Sequence, residues 1–495
     1  MRNYVLKRLF KSIISILVVV AVVVAMVYKM VPHKRAFDGD EGYRKLTGNH
    51  KVVYTNSRLE QLGYLDYANV AEMCSLESEN PVECAKKGSE EFERVLQVFR
   101  DKGYTVEKLK NKDELQGSYI AYRFYNVFEL IGNFYKRLLV IDHPNFVQDQ
   151  NNPDMERGYY FGQAYNGLPA LLCKGCNYKH QIYLNGKFPF LHSNILHFNF
   201  GESFPTQAGV KTTEVISSGQ GKLVKIEQTF PTGETINSSI KQETCRYKVS
   251  LDHLDQKKFE DHYADCDNYY DSPSMIQTSY IFGVSALVLA YLIGIPFASA
   301  MARNKGKFLD KFGIFIINLL VAVPSLALIF FFKYVGLQFG LPDMFPHLGF
   351  FDIRSYIMPI IVMSVLSLPT IMIWIRRYMV DQSTADYVKF AKAKGLTRRE
   401  ISRKHVLRNA IIPIVNGLPT SLVLQISGAV ITESVFGIPG MGKMLPDSVK
   451  AANNNMVITL TFIFTTLAVF AVFLGDILMT RVDPRIRLNE SEGGN

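Results

Sequence analysis

The run DYVKFAKAKGLTRREISRKHVLRNAIIP, residues 386–413, gathers many cations around one glycine and lies between two apolar blocks. Those flanks decide the class of molecule. A helix needs about 20 mostly apolar residues to cross the hydrocarbon of a bilayer. Six stretches of this 495-residue chain satisfy that: 12–31, 276–301, 312–335, 355–375, 411–432 and 456–480. The composition, 48% hydrophobic and 20% charged, is collected into these blocks rather than spread evenly. The expected fold class is an α-helical polytopic membrane protein with six transmembrane helices and a mixed α+β extracytoplasmic domain inserted between helices 1 and 2. The expected divisions are 1–31 (N-terminus and first span), 32–275 (inserted domain), 276–480 (membrane core, with a cytoplasmic loop at 376–410) and 481–495 (C-terminal tail).

The first block follows a basic start, MRNYVLKRLFK, as a secretory signal would. Its apolar run is longer than a signal core and no small-x-small cleavage site precedes Tyr28, so an uncleaved span is expected. Orientation follows from the short basic loops, because Lys and Arg collect on the cytoplasmic side. Residues 1–11, 303–311 and 376–408 are each net positive, and six spans put all three on one side. The termini are then cytoplasmic and the large insert extracellular. Cys74, Cys84, Cys173, Cys176, Cys245 and Cys266 all fall in that insert. An even number confined to the oxidising side reads as disulfides. Neighbour pairing is the most local of the fifteen connectivities available, and the sequence leaves the choice open. A redox Cys-x-x-Cys wants a strand-to-helix setting and a zinc ribbon wants a second close knuckle; neither pattern is present.

Inside the insert, EEFERVLQVFRDKGYTVEKL (90–109) has helical apolar spacing with Gly103 as its stop, and 125–141 is a second helix candidate. KLVKIEQTF and ETINSSIKQETCRYKVS alternate as two strands around a turn at Pro231–Gly233. The spans contain Pro296, Pro324, Pro359, Pro369, Pro413 and Pro419, which suits a moving bundle better than a passive anchor. Asn318, Ser325, Thr370, Asn416, Thr420, Ser421 and Gln425 either line a polar path or bond between helices, and interhelical bonding is expected for most.

Catalytic signatures fail their physical tests. GIPGMGKM (437–444) has phosphate-loop spacing, but Met444 stands where a magnesium-binding hydroxyl belongs, and the loop joins two spans on the outer side. His192 and His197 are five apart, which is not the i, i+4 spacing of a helical zinc pair. No catalytic residue, cofactor or metal site is expected.

The basic run itself reads as two short helices. Ser383 or Thr384 is placed to cap the first, Ala385, Val388 and Ala391 share a face, and Gly395 supplies a left-handed stop. Thr397 with Glu400 makes a capping box for the second, which runs through Ile401, Val406 and Leu407 towards Asn409 and Pro413. Its charge would suit DNA phosphates, yet there is no third helix to build a DNA-binding core. A solvated loop explains the charge and not the caps. A helix that presents Ala391, Gly395 and flanking apolar side chains fits the groove of a cytoplasmic partner.

The run DYVKFAKAKGL with LRNAIIP (407–413) resembles the coupling loop of ABC importer permeases that carry di- and oligopeptides. IWIRRYMVD, ESVFGIPGMGKML (433–445), DPRIR (483–487), HFNFGESF (197–204) and the Gly294-Ile295-Pro296 bend resemble further landmarks in the expected order. The long insert is similar to that of Opp- and Ami-type oligopeptide permeases of Gram-positive bacteria, as their B or C component. The chain departs from the general Glu-Ala-Ala-x-x-x-Gly pattern, with Lys389, Phe390 and Ala391 in the first three places; Asp386 is near enough to replace the lost acid.

The resemblance implies a type I importer fold and a non-catalytic subunit in the cell membrane. Its implied partners are a second permease, two cytoplasmic ATP-binding subunits holding ATP and Mg, an extracellular peptide-binding lipoprotein, a peptide substrate and membrane lipid, with no nucleic acid. It assigns ATPase coupling to Asp386, Phe390, Ala391, Lys394, Gly395 and Leu396. An outer gate or path is expected from Glu433, Phe436, Gly437, Pro439, Gly440 and Gly442, with Asn318, Asn416 and Gln425. The alternatives are a permease for a dipeptide, nickel or an antimicrobial peptide, and a membrane-anchored receptor whose outer domain is the functional part.

Overall fold

The computed structural model describes residues 2–86, 89–110, 118–184, 190–219 and 221–482; the DPRIR stretch and the rest of the tail lie outside the described residues. The chain divides into two compact units. One comprises Met1–Val23, Pro273–Val449 and Thr459–Asn495, and the other Val24–Ser272 with Lys450–Ile458.

The inserted unit is mixed α+β. An antiparallel sheet of β1 (Leu65–Asn69), β2 (Thr105–Lys108) and β3 (Tyr119–Phe124), in the order β1-β3-β2, packs with the helices α2 (Val70–Glu77) and α3 (Glu90–Asp101). Phe92, Val95, Leu96 and Phe99 recur at helical spacing along α3 and are buried with Met73, Ala121 and the Cys74–Cys84 disulfide. Gly103, at φ +82°, ends that helix one residue past its cap, where the sequence places the stop. A further helix, α4 (Val127–Leu138), starts at a capping box between Asn126 and Glu129.

The second sheet is a four-stranded meander, β4 (Gly158–Gln163), β5 (Pro169–Lys174), β6 (His180–Leu184) and β7 (Leu191–Ser193). Asp142, with no exposed surface, organises the β5–β6 connection by accepting from the Asn177 N–H at 2.6 Å, the Tyr178 N–H at 2.9 Å and Gln181 Nε2 at 2.7 Å. Farther along, β8 (Ile226–Thr229) and β9 (Thr235–Ser238) form the expected hairpin, with Gly233 at φ +86° in its turn. All six cysteines pair with neighbours: Cys74 with Cys84, Cys173 with Cys176, and Cys245 with Cys266.

The membrane unit contains helices long and apolar enough to cross a bilayer. Among the described residues four are continuous: α1 (Arg2–Met30, apolar from Leu6), α5 (Met275–Arg303), α8 (Arg354–Gln382) and α14 (Asn454–Val482). Two more candidates are bent pairs. The helices α6 (Phe308–Ala322) and α7 (Ser325–Gln338) meet at 105°, with Pro324 capping α7 at the break. After α9 (Asp386–Ala393), the helices α10 (Arg398–Ala410) and α11 (Ile412–Gly428) meet at 54°, with Pro413 in the first turn of α11. Short helices α12 (Val430–Phe436) and α13 (Met441–Lys450) follow.

Close contact between α5 and α8 depends on small residues. Ala286, Ala290 and Ala298 are fully buried, and a Cβ on Gly294 would lie 2.8 Å from Ile371 Cγ2. Ser364 Oγ on α8 donates to the Ala286 carbonyl of α5 at 2.9 Å. Gly313 of α6 likewise leaves room for Met301, and Gly336 of α7 for Met358. Among the expected polar residues, Gln425 donates to Ser367 across helices, and Ser421, which bonds the Gly417 carbonyl of its own helix, also meets the Tyr291 hydroxyl of α5. Asn318 and Thr370 are exposed on the single chain.

Burial in β6 pushes the His180 imidazole down to about 4, and its Nδ1 has no hydrogen-bond partner among the described residues. A folded pKa below the ordinary value of 6.5 means that the neutral ring's contribution is full above pH 6.5 and is lost as pH falls towards 4. Hydrogen exchange of the β5–β6 amides, corrected for intrinsic rates, should therefore accelerate over that window, by up to about 3 kcal/mol in opening free energy. A His180→Phe chain should lack the effect; equal pH dependence in both would show that another group is responsible.

Candidate functional site

The basic run folds as two short helices anchored in the membrane unit. Val388 and Ala391 of α9, with Ile401, Val406 and Ala410 of α10, are buried in one cluster with Met301 of α5 and Ile375 and Met379 of α8. Leu396 packs against the same cluster. Gly395 takes φ +80° at the turn, and Thr397 and Glu400 form the expected capping box. The first helix starts differently from expectation. Its N-cap is Ala385, without a side-chain bond, because Ser383 Oγ and Thr384 Oγ1 donate backwards to the Val380 and Asp381 carbonyls at 2.6 and 2.8 Å. Those hydroxyls finish α8 rather than begin α9. Residues 401–406 of α10 form a π-helical turn, which the sequence does not signal.

This geometry divides the six coupling candidates into two groups. Phe390 is 70% exposed, and Asp386, Lys394 and Gly395 also face outward, whereas Ala391 is buried and Leu396 half-buried. Ala391 is therefore an anchor rather than a presented knob. Lys389, in place of the acid of the general pattern, pairs with Asp386 at 2.8 Å one turn earlier, both side chains being largely exposed. The hairpin's position is fixed from a second direction. Arg376 near the end of α8 donates from Nε to Asp310 Oδ1 at 2.6 Å and from Nη2 to Asp310 Oδ2 at 2.8 Å, while the Gly306 N–H bonds the same carboxylate. Asp310 is only 2% exposed. This bidentate clasp joins the first turn of α6 to the helix that leads into the hairpin.

The other candidate cluster surrounds Glu433, which has no exposed surface. Its Oε1 accepts from Ser279 Oγ of α5 at 2.9 Å, and its Oε2 from the Lys443 N–H in the first turn of α13 at 2.7 Å. Ser279 Oγ in turn accepts the Met441 N–H at 2.8 Å. A carboxylate at a helix N-terminus satisfies otherwise orphaned donors. The glycines follow from that arrangement. A Cβ on Gly440 would lie 2.3 Å from Glu433 Oε1, one on Gly442 would lie 3.0 Å from Oε2, and Gly437 closes α12 at φ +69°. The phosphate-loop spacing of 437–443 is thus the spacing needed to wrap the chain's own carboxylate. Phe436 is buried with Phe282, Phe345, Val362 and Ile438, while Pro439 is half-buried beside them in sequence. Asn416 and Gln425 lie instead on α11; the Asn416 carbonyl would be 2.5 Å from a Cβ on Gly475 of α14, so that glycine permits the crossing.

Ser279, Asp310 and Arg376 were not singled out from sequence, and neither was the triplet Asn453–Asn455. Within the inserted unit, Asn453 Nδ2 donates to Ser203 Oγ and Thr206 Oγ1, both at 2.8 Å, Asn455 Nδ2 donates to the Glu202 carbonyl at 2.9 Å, and Asn454 bonds the Tyr64 hydroxyl. Gly201 has no room for a Cβ, which would sit 2.8 Å from Asn455 Nδ2. Three adjacent asparagines were the available signal.

Comparison with known proteins accords with these landmarks. Residues 294–488 match the family model described as "Binding-protein-dependent transport system inner membrane component". The oligopeptide transport system permease protein AmiC of Streptococcus pneumoniae serotype 4 is 38% identical over 502 residues, covering 100% of both chains. The dipeptide transport system permease protein DppB of Lactococcus lactis subsp. cremoris is 31% identical over 207 residues, 42% of this chain and 67% of that one. A chain of the MetNI methionine ABC transporter in an inward-facing conformation covers 42% of this chain and 94% of its own, at 16% identity and a TM-score of 0.34. The molecule is thus a multi-pass membrane permease, a transport subunit and not an enzyme. It belongs to the oligopeptide permease family of ABC transporters, in the Opp/Ami branch.

Removing the Glu433 carboxylate leaves the Lys443 N–H and Ser279 without their acceptor. Glu433→Ala should cost on the order of 2–4 kcal/mol, and Glu433→Gln less. Thermal unfolding of the detergent-purified chain, followed by loss of the monodisperse peak, measures this. An unchanged midpoint for Glu433→Ala would contradict an organising role.

Proposed function

We propose that this chain is the transmembrane permease of an ATP-driven oligopeptide importer. The full-length similarity to an oligopeptide permease supports the substrate class. The observation that carries the mechanism is the continuity of the hairpin with the span core: Val388, Ala391, Ile401 and Val406 are buried among side chains of α5 and α8. A force applied to the hairpin is then delivered to the bundle rather than dissipated in a loop.

In this reading each bent pair counts as one span, giving six, with residues 32–275 inserted between the first and second. Positive charge in 1–11, 303–311 and 376–408 favours cytoplasmic termini and an extracellular insert. The disulfides of the insert agree with an oxidising side. Asp386, Phe390, Lys394, Gly395 and Leu396 meet an ATP-hydrolysing subunit, with Ala391 as the anchor beneath them. Two such subunits hold ATP and Mg, a second permease completes the path, and an extracellular lipoprotein delivers peptide. ATPase closure moves the hairpin and rocks the α5–α8 pair, and the Glu433 loop at the other end acts as the outer gate. Gln425, Asn416 and Asn318 are assigned to the path. The Asp386–Lys389 pair leaves a near-neutral turn where the general pattern has an acid, so docking here relies on Phe390 and the hairpin's shape. A receptor held by one anchor would not require a basic hairpin built into the core of several spans.

Replacing Gly395 tests the reading. A Cβ there meets nothing within 4 Å, so the cost of Gly395→Val is local backbone strain, about 1–2 kcal/mol, without a core clash. Membrane levels of the chain should be retained while peptide uptake falls at least several-fold relative to ATP hydrolysis. Undiminished uptake would overturn docking at this turn.

A further inference from the structure

Beneath the hairpin lies a cavity of about 220 Å³, lined by Ala302 and Arg303 at the end of α5, Met379 of α8 with Ser383 just beyond it, Val388 and Lys392 of α9, and Arg398, Ile401, Ser402 and Val406 of α10. Its chemistry is divided. Met379, Val388, Ile401 and Val406, all nearly inaccessible, make an apolar floor. Arg303, Lys392 and Arg398 stand exposed around the mouth. No acidic side chain lines the cavity. Among the described residues Arg303, Lys392 and Arg398 form no salt bridge, and Ser402, a largely buried residue, is also part of the lining. Two carboxylates of the hairpin are engaged elsewhere, Asp386 with Lys389 and Glu400 with the Thr397 cap.

Three cations and two hydroxyl residues lining one cavity favour a phosphate oxygen cluster, and an apolar floor at the ends of two spanning helices favours an anion carried on a hydrocarbon stem. We propose that this cavity binds the phosphate headgroup of an anionic phospholipid. Inorganic phosphate shares the polar half of that chemistry. The site is separate from the outward face assigned to the ATPase: Lys392 and Arg398 line the cavity, whereas Phe390 and Lys394 do not. A headgroup here touches α5, α8, α9 and α10 together, so its occupancy sets how firmly the hairpin is held to the bundle. The leaflet concerned rests on the orientation proposed above; the anion site itself does not.

The test uses the full chain in nanodiscs and a photoactivatable phosphatidylglycerol, with phosphatidylcholine as the uncharged-headgroup control. Crosslinks should map to 302–303 and 379–406, and the phosphatidylcholine probe should label these peptides far less. Simultaneous Arg303→Gln, Lys392→Gln and Arg398→Gln substitution should weaken phosphatidylglycerol binding on the order of a hundredfold, while the elution profile and the unfolding midpoint report whether the variant is folded. Displacement of the lipid probe by millimolar inorganic phosphate would assign the site to soluble phosphate groups. Equal labelling by the two lipids, or crosslinks confined to other segments, would overturn the proposal with the wild-type chain alone. Peptide uptake enters none of these readouts, so failure of the transport reading and failure of this one are distinguishable.

Discussion

The close packing of α5 on α8 is the constraint on which the membrane unit depends. Gly294 leaves Ile371 the space it occupies, and three fully buried alanines and the Ser364 bond to the Ala286 carbonyl hold the two backbones together. In lipid there is little hydrophobic drive between helices, so small residues and an occasional hydroxyl supply the association. This pair has a functional candidate at each end. One end carries Met301, Ile375 and Met379, on which the basic hairpin is seated, and the other carries Ser279 and Phe282, against which the Glu433 loop closes. One packed helix pair, with about 33 Å between Ser279 and Met301, thus connects the two regions.

The Glu433 loop shows how a motif can look like one chemistry and perform another. Backbone N–H groups at a helix start, with glycines around them, make a receptor for an anion. Here the anion is internal. Glu433 fills the position that a phosphate would take, and the glycines at 440 and 442 give its carboxylate room. Such an arrangement fixes the loop while leaving it joined to the bundle through Ser279 and Met441.

Much of the fold was legible because its signals are local. Apolar length finds the four continuous long helices among the described residues and the two bent pairs, Gly103 and Gly395 adopt the left-handed stops their positions suggest, and Thr397 with Glu400 forms the cap that their spacing requires. What was not legible depends on partners distant in sequence. Ser383 and Thr384 are good caps in isolation, and only the end of α8 shows that they bond backwards. Ala391 could face either way until Met379 and Ile401 were known to surround it. Asp310 looks like one charge in a basic loop, yet its partner is 66 residues away. The asparagines at 453–455 bond to residues some 250 to 430 positions earlier, which no window of sequence contains.

The hairpin is proposed to couple this permease to ATP hydrolysis for peptide import. Purification of the intact assembly from native membranes, followed by its ATPase rate with and without an oligopeptide and the external binding protein, tests that most directly. The account predicts that two ATP-binding subunits and a second permease accompany the chain, and that hydrolysis rises several-fold when peptide-loaded binding protein is added. A chain recovered without ATP-binding subunits, or an assembly whose hydrolysis is indifferent to peptide, would contradict it.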